Sequence, residues 1–193
     1  MSGFRLGEVA TDSPADEVVR VLTRAQRHGA LGVRPIAEVI EHARSFVAAL
    51  PADVERVVDL GSGAGVPGLI VALDRPTVSV TLVDRRAKRT DELARAVQTL
   101  GWNPRVRVVC ADTASLVDDS GWAGRFDAAV ARGFGPPLDT LATAVRFVRR
   151  GGWVIVSEPP VDQGTRWDHL DYSGLGVSVP ERCGAVVRFH VER

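Results

Sequence analysis

Two stretches near the start of the chain carry apolar residues at helical spacing. The first opens at Ser13-Pro14-Ala15-Asp16, where a capping serine, a proline in the first turn and an acid three residues after the cap are typical of a helix start. Gly29 closes it, and a second apolar stripe runs between Pro35 and Pro51. The two patterns predict an N-terminal helical extension over residues 1–53.

After the extension, short apolar runs alternate with helical segments. The runs predict strands over 57–60, 78–83, 106–110, 126–131 and 153–156, and the segments between them predict helices over 66–73, 91–100 and 138–148. The tail predicts a strand pair over 176–179 and 185–191. Alternation of this kind predicts a Rossmann-like α/β domain over residues 54–193, with a mostly parallel sheet and helices on both faces.

Length and composition narrow the class of protein. The chain has 193 residues and is 45% hydrophobic, which suits one compact domain with a substantial core. Its 24 basic and 24 acidic residues balance, so the total charge does not point to nucleic acid, although a local basic face is compatible with it. No apolar run has the length of a signal peptide or a membrane span, so we expect a soluble, cytoplasmic protein.

The cysteines and histidines do not indicate a metal site. Cys110 and Cys183 lie far apart without a CxxC partner, and the four histidines are scattered. Cys110, at the end of a predicted strand, is interpreted as a small buried residue. We therefore expect neither a bound metal nor a disulfide framework.

Polar residues stand where four successive predicted strands end. They are Asp59, Asp84, Asp112 and Arg132. The carboxyl ends of parallel strands meet at one edge of a sheet, and ligands bind there, near the point where the strand order reverses. This edge is the predicted ligand site.

The glycine segment after the first strand fits two nucleotide-binding patterns. Residues 61–65 read GxGxG, whereas residues 63–68 read GxGxxG, the dinucleotide form. Three observations favour S-adenosylmethionine. First, Asp59 can reach the amino end of the methionine part of this cofactor and would repel a pyrophosphate. Second, the chain is short for a dehydrogenase with its own substrate domain. Third, the strand ends at Leu60, so the loop starts at Gly61. A purely structural glycine turn is the alternative.

The loop and the strand ends supply the candidate cofactor contacts. Asp84 stands about 20 residues beyond the loop, where a carboxylate holds the ribose hydroxyls. Asp112 is placed to accept from the adenine amino group, with Thr113 or the local backbone as alternatives. The complete predicted set is Asp59, Gly61, Ser62, Gly63, Gly65, Pro67, Asp84, Arg85, Asp112, Thr113 and Arg132.

These motifs together resemble one family. The segment Asp59-Leu-Gly-Ser-Gly-Ala-Gly-Val-Pro-Gly68, with its Val-Pro-Gly end, is similar to the first motif of the bacterial small-subunit ribosomal RNA guanine-N7 methyltransferases, the glucose-inhibited division protein B family. Leu82-Val-Asp84, followed by Lys88-Arg89, and the run 126–134 ending in Arg-Gly-Phe resemble it again, and His42-Ala-Arg-Ser45 echoes a histidine-containing helix. The resemblance spans roughly residues 36–158. It implies a class I methyltransferase fold, S-adenosylmethionine as the cofactor and ribosomal RNA as the partner.

Two family features are absent. The aromatic-Asn-Leu-Thr motif is missing from the N-terminal part, and Ser157-Glu158-Pro159-Pro160 stands where the family commonly has Lys-Gly. Two alternatives therefore stay open: a methyltransferase of the same fold that acts on a small molecule, and a non-catalytic paralogue that binds the cofactor.

The predicted chemistry needs few groups. Guanine N7 carries a lone pair and no proton, so methyl transfer requires alignment rather than a general base. Arg132 is the predicted catalytic residue, donating to guanine O6 or to a phosphate. Lys88 and Arg89 are candidate phosphate contacts, and Phe134 a candidate for stacking on a base.

Overall fold

The computed structural model of the protein describes residues 13–119 and 121–193. Its helices are α1 Pro14–Arg27, α2 Ile36–Ala49, α3 Gly68–Asp74, α4 Ala87–Thr99, α5 Thr113–Val117 and α6 Pro137–Phe147. Its strands are β1 Arg56–Leu60, β2 Ser79–Asp84, β3 Val106–Cys110, β4 Phe126–Ala131, β5 Val148–Ser157, β6 Glu181–Cys183 and β7 Val186–His190. Within the described residues no helix is both long and apolar enough to span a membrane.

All strands join one seven-stranded sheet in the order β3-β2-β1-β4-β5-β7-β6. Strands β1 to β5 pair in parallel, and β7 lies antiparallel between β5 and β6. Every residue of β4 is buried, as expected for a central strand covered on both faces. The predicted Rossmann-like α/β fold is confirmed, and the strand order reverses between β1 and β4.

The N-terminal helices begin as predicted and pack on the sheet domain. Asp16 accepts from the backbone N–H of Ser13 while the Ser13 hydroxyl accepts from the N–H of Asp16, both at 3.2 Å, which is a complete capping box. Leu22 of α1 and Phe46 of α2 share one hydrophobic core with Ile70 of α3. The division of the chain after residue 53 stays a prediction.

Several predicted boundaries were wrong. Helix α3 begins at Gly68, two residues later than predicted. Helix α4 begins earlier than predicted, at Ala87, and β5 begins earlier, at Val148. The short helix α5 was not predicted, since five residues carry no periodic signal.

The tail and one cysteine also differ from prediction. The predicted strand over 176–179 is reduced to one isolated bridge between Val177 and Val191. On the side of β7 away from β5, the pairing strand is β6. A tight turn at Gly184, with φ of 63°, brings β6 and β7 together, so pairing within a short hairpin replaces the longer connection. Cys110 is exposed rather than buried, because β3 is the edge strand of the sheet.

A buried carboxylate joins three strands at the amino end of the sheet. Oδ2 of Asp127 accepts from the backbone N–H of Glu55 at 3.1 Å and of Arg56 at 2.8 Å, and Oδ1 accepts from Nε of Arg149 at 2.8 Å. Burial alone would raise the pKa of Asp127, but the bonds from Arg149 and the two amides outweigh it and lower the pKa. Asp127 therefore locks the ends of β1, β4 and β5 opposite the predicted ligand edge.

Candidate functional site

The glycine loop is shaped by two close approaches that leave no room for a side chain. Gly61 has φ of 68°, and a Cβ atom there would lie 2.7 Å from Cδ2 of Phe134. A Cβ atom on Gly68 would lie 2.7 Å from Oδ2 of Asp59 and would overlap Cδ2 of Leu82. Glycine at these positions lets α3 sit directly on β1 and β2, and lets Phe134 cover the start of the loop.

Asp59 lies beneath this loop and is 0% exposed. Its Oδ2 accepts from the backbone N–H of Gly68 at 2.8 Å, whereas its Oδ1 has no hydrogen-bond partner among the described residues. Burial raises the pKa of Asp59 to about 7, against the lowering effects of the Gly68 N–H and of Arg132. The buried, half-satisfied carboxyl is suited to a hydrogen-bond donor or a cation arriving from above the loop.

A cavity of about 250 Å³ opens at the carboxyl ends of β1, β2 and β3. The structure brings seven of the predicted residues to its wall: Gly61, Asp84, Arg85, Arg89, Asp112, Thr113 and Phe134. Val83, Arg86, Ala111 and Gly133 complete the lining and were not predicted. We call this space the first cavity.

The two acids of the first cavity are already anchored to the backbone. Asp84 accepts from the N–H of Gly63 at 3.0 Å and from the N–H of Arg86 at 2.9 Å, so it fixes the glycine loop to the end of β2. Asp112 caps α5 by accepting from the N–H of Ala114 at 2.9 Å. Each carboxylate oxygen keeps a free lone pair, so both acids can also accept from ligand hydroxyl or amino groups.

Other predicted residues lie away from the first cavity. Ser62 is buried, and its hydroxyl donates to the Asp59 carbonyl at 2.8 Å. Gly65 and Pro67 are buried inside the loop, and Gly63 lines a separate cavity of about 200 Å³ between α1 and α4. Lys88 is exposed on α4. Their predicted ligand roles stay predictions. The buried ones lie away from the cavity because they pack inside the glycine loop.

A larger cavity of about 930 Å³ opens beside the ends of β4 and β5. Arg132 and His42 line it, and Gly133 lines both this second cavity and the first. Burial lowers the pKa of Arg132, Asp59 opposes this effect, and Arg34 adds to it. Burial also lowers the pKa of His42, helped by the positive charges of Arg132 and Arg34. The second cavity therefore concentrates positive charge.

Glu158, which replaces the family's lysine, points into the protein. Its side chain is 0% exposed, accepts from the backbone N–H of Arg166 at 2.9 Å and from Nε1 of Trp167 at 3.0 Å, and lies 4.0 Å from Nη1 of Arg182. It thus ties the segment after β5 to the end of that strand. Both carboxylate oxygens are engaged in these contacts, and Glu158 also forms part of the wall of the second cavity.

Sequence reasoning missed several residues of the second cavity. Arg34 precedes α2, whereas Arg166 and Arg182 both come after β5, in an irregular stretch and in β6, and isolated arginines of this kind give no motif. His42 offered a signal, because it falls off the apolar stripe of its helix. Among the described residues no group of three or more acidic, histidine or cysteine side chains is placed to hold a metal ion.

The sheet order, with antiparallel β7 beside β5, and a glycine loop at the strand-order reversal define a Rossmann-like fold of the class I methyltransferase type. The chain matches the solved S-adenosylmethionine-dependent methyltransferase SibL in its apo form with a TM-score of 0.63 and 21% identity, over 96% of this chain and 71% of that one. The sequence model of the rRNA small subunit methyltransferase G family matches residues 18–158. The chain belongs to this family, which confirms the resemblance found in its motifs.

Two curated relatives carry the name "Ribosomal RNA small subunit methyltransferase G". The one from Salinispora arenicola is 37% identical over 139 residues, covering 68% of this chain and 56% of the relative. The one from Moorella thermoacetica is 34% identical over 110 residues, covering 56% of this chain and 45% of the relative. The chain thus spans about half the length of these relatives.

Proposed function

We propose that the protein is an S-adenosylmethionine-dependent methyltransferase that methylates N7 of a guanine in small-subunit ribosomal RNA. The observation that carries the proposal is the pair of cavities that meet at Gly133, on the ligand edge of this family's fold. A donor and an acceptor held on either side of one residue are positioned for direct transfer. We also propose that the protein acts in the cytoplasm, where ribosomal RNA is found.

The first cavity fits the cofactor. Asp59 does not line this cavity, but beneath the glycine loop its unpartnered Oδ1 suits an ammonium group, and Phe134 packs against Gly61 at the start of the loop. Asp84 and Arg85 would hold the ribose end, and Asp112 or Thr113 the base. When bound, the cofactor supplies a methyl group on a sulfonium, which needs alignment and exclusion of water rather than proton transfer.

The second cavity is the proposed acceptor side. Arg132 lies at the carboxyl end of β4, half-buried, where its guanidinium can donate to guanine O6 or to a phosphate. Arg89 lines the first cavity, where its Nη1 lies 3.9 Å from Oδ2 of Asp84. With Lys88 it makes the first turn of α4 basic, which suits contacts with the phosphate backbone of RNA. Phe134 packs on the glycine loop, so its stacking partner would be the cofactor side of the site rather than an exposed base.

A second candidate is a small-molecule methyltransferase of the same fold. The size of the second cavity favours it, since about 930 Å³ falls within the usual range of small-ligand pockets, roughly 300–1,000 Å³. The zero net charge of the chain also favours it, because RNA-binding proteins are commonly basic.

Thermal melting tests the cofactor first. S-adenosylmethionine and S-adenosylhomocysteine should each raise the melting temperature, and NAD should not, because a ligand that binds only the folded state stabilises it. Methyl transfer from labelled cofactor is then compared between small ribosomal subunits and free guanosine monophosphate. Labelled N7-methylguanosine in digested RNA supports the proposal, transfer to the mononucleotide alone favours the second candidate, and no melting shift with either methyl-cycle ligand rejects both.

A further inference from the structure

Four arginines face the second cavity, and two of them have no acidic partner among the described residues. We call Arg34, Arg132, Arg166 and Arg182 the arginine basin. In the described parts of the chain, the ion pairs leave Arg34 and Arg166 without a carboxylate. Arg132 interacts electrostatically with buried Asp59, and Arg182 reaches Glu158 at 4.0 Å. The basin therefore carries positive charge that the described residues neutralise only in part.

Arg34 and Arg132 lie close enough to repel each other. The positive charge of Arg34 lowers the pKa of Arg132, and both lower the pKa of His42 on the neighbouring helix. Like charges gathered at one cavity wall cost free energy unless an anion sits between them. Planar guanidinium groups bind phosphate oxygens in pairs, and several can share one phosphate.

Two of the four arginines come from the segment after β5, which lies beyond the residues matched by the family model. Buried Glu158 fixes that segment through the N–H of Arg166 and through Trp167. The guanidinium of Arg182 is held on the Pro159 carbonyl, and its Nε is buried without a partner among the described residues. Both arginines thus line the same cavity as Glu158.

From this arrangement we infer that the arginine basin is a phosphodiester-binding site, in which Arg166 and Arg182 of the C-terminal segment complete a pocket begun by Arg34 and Arg132. The inference rests on the proposed function, because it assigns the phosphate to the RNA that carries the target base. Glu158 acts as a positioning residue for this site.

Binding measurements separate this inference from the function on which it rests. Wild type, Arg34→Gln, Arg166→Gln and the control Arg125→Gln are titrated with a short labelled RNA hairpin in the presence of S-adenosylhomocysteine, at several salt concentrations. Arg125 is exposed at the opposite, amino end of β4, so it matches the variants in charge. Arg34 and Arg166 are exposed too, so their replacement leaves the core intact.

We expect each basin variant to weaken RNA binding about tenfold and to reduce the salt slope by about 1, with the control unchanged. Equal losses in all three variants, or none, would overturn the inference. The same titration with guanosine monophosphate distinguishes the source of the phosphate: if the mononucleotide depends on Arg34 and Arg166 and the hairpin does not, the basin is not a phosphodiester site. Failure of the proposed function shows separately, as no binding of S-adenosylhomocysteine by calorimetry.

Glu158→Gln tests the positioning role by the sign of its effect. Removing a negative charge near the basin would strengthen RNA binding if net charge alone mattered. We expect binding to weaken severalfold instead, because glutamine keeps one accepting oxygen and puts a donating NH2 group opposite either Arg166 N–H or Trp167 Nε1. Unchanged affinity for S-adenosylhomocysteine controls for folding, and tighter RNA binding would refute the role.

Discussion

Replacing Asp59 with asparagine is expected to remove most of the pH dependence of stability between pH 5 and pH 8. The Asp59 carboxyl is fully buried, has one unpartnered oxygen, and has its pKa raised from 3.8 to about 7. Below its folded pKa of about 7 the folded chain keeps the proton on Asp59 while the unfolded chain has already ionised it, and above that pH both are ionised. Stability is therefore lost as the pH rises from the unfolded pKa to the folded one.

The magnitude follows from the two pKa values. Each tenfold difference in proton affinity is worth about 1.36 kcal/mol, so ionised Asp59 costs the fold about 4 kcal/mol, of which about 3 kcal/mol appears between pH 5 and pH 8. Asparagine keeps the acceptor for the Gly68 N–H but adds unpaired donors, a constant cost of about 1–3 kcal/mol. The slope with pH, rather than the absolute stability, is thus the quantity to compare.

Urea unfolding of wild type and Asp59→Asn at half-unit steps from pH 5 to pH 8 measures this slope. His42, whose lowered pKa makes it a destabilising group on the acid side, titrates in the same window with the opposite sign. It contributes equally to both proteins, so their difference isolates Asp59. Parallel pH profiles for the two proteins would refute the assignment of a protonated, buried carboxyl beneath the loop.

Three further predictions concern the loop and the two cavities. Gly68→Ala should lower the free energy of unfolding by about 1–3 kcal/mol, because its Cβ would press on Asp59 and Leu82; melting of Gly32→Ala, where a Cβ meets no atom within 4 Å, is the control. Asp84→Asn should weaken S-adenosylhomocysteine about tenfold in calorimetry, since a charge-assisted bond is lost, and an unchanged affinity would remove Asp84 from the site. Arg132→Ala should reduce methyl transfer about 100-fold with cofactor affinity nearly unchanged; full activity would leave Arg132 without a catalytic role.

The periodic and motif-bearing parts of the chain were predictable. Strands β3 and β4 begin and end where the apolar runs do. The run at β4 is continuous in apolar residues around one aspartate because that strand is buried on both faces. Asp84 and Gly61 were placed at the first cavity because the parallel topology forces strand ends to one edge. The local pattern around β1 was thus enough to predict residues that line the first cavity.

The second cavity was not predictable in the same way. Arg166 reaches it from the irregular segment after β5, where its backbone N–H is held by buried Glu158, and Arg182 reaches it from β6. A glutamate in place of a lysine suggests the loss of a phosphate contact when the sequence is considered alone. The fold shows the carboxylate turned inward, which a linear pattern does not encode.

The hydrogen bonds of Asp127 have a consequence for which parts of the chain can change without loss of the fold. Since they secure β1, β4 and β5 at the edge remote from both cavities, the loops at the ligand edge are not needed to hold these strands together. Exchanging the segment after β5 for that of a relative would then alter which acceptor is chosen while the framework persists. The contacts that hold the strands together and the loops that line the cavities thus lie at opposite ends of the same strands.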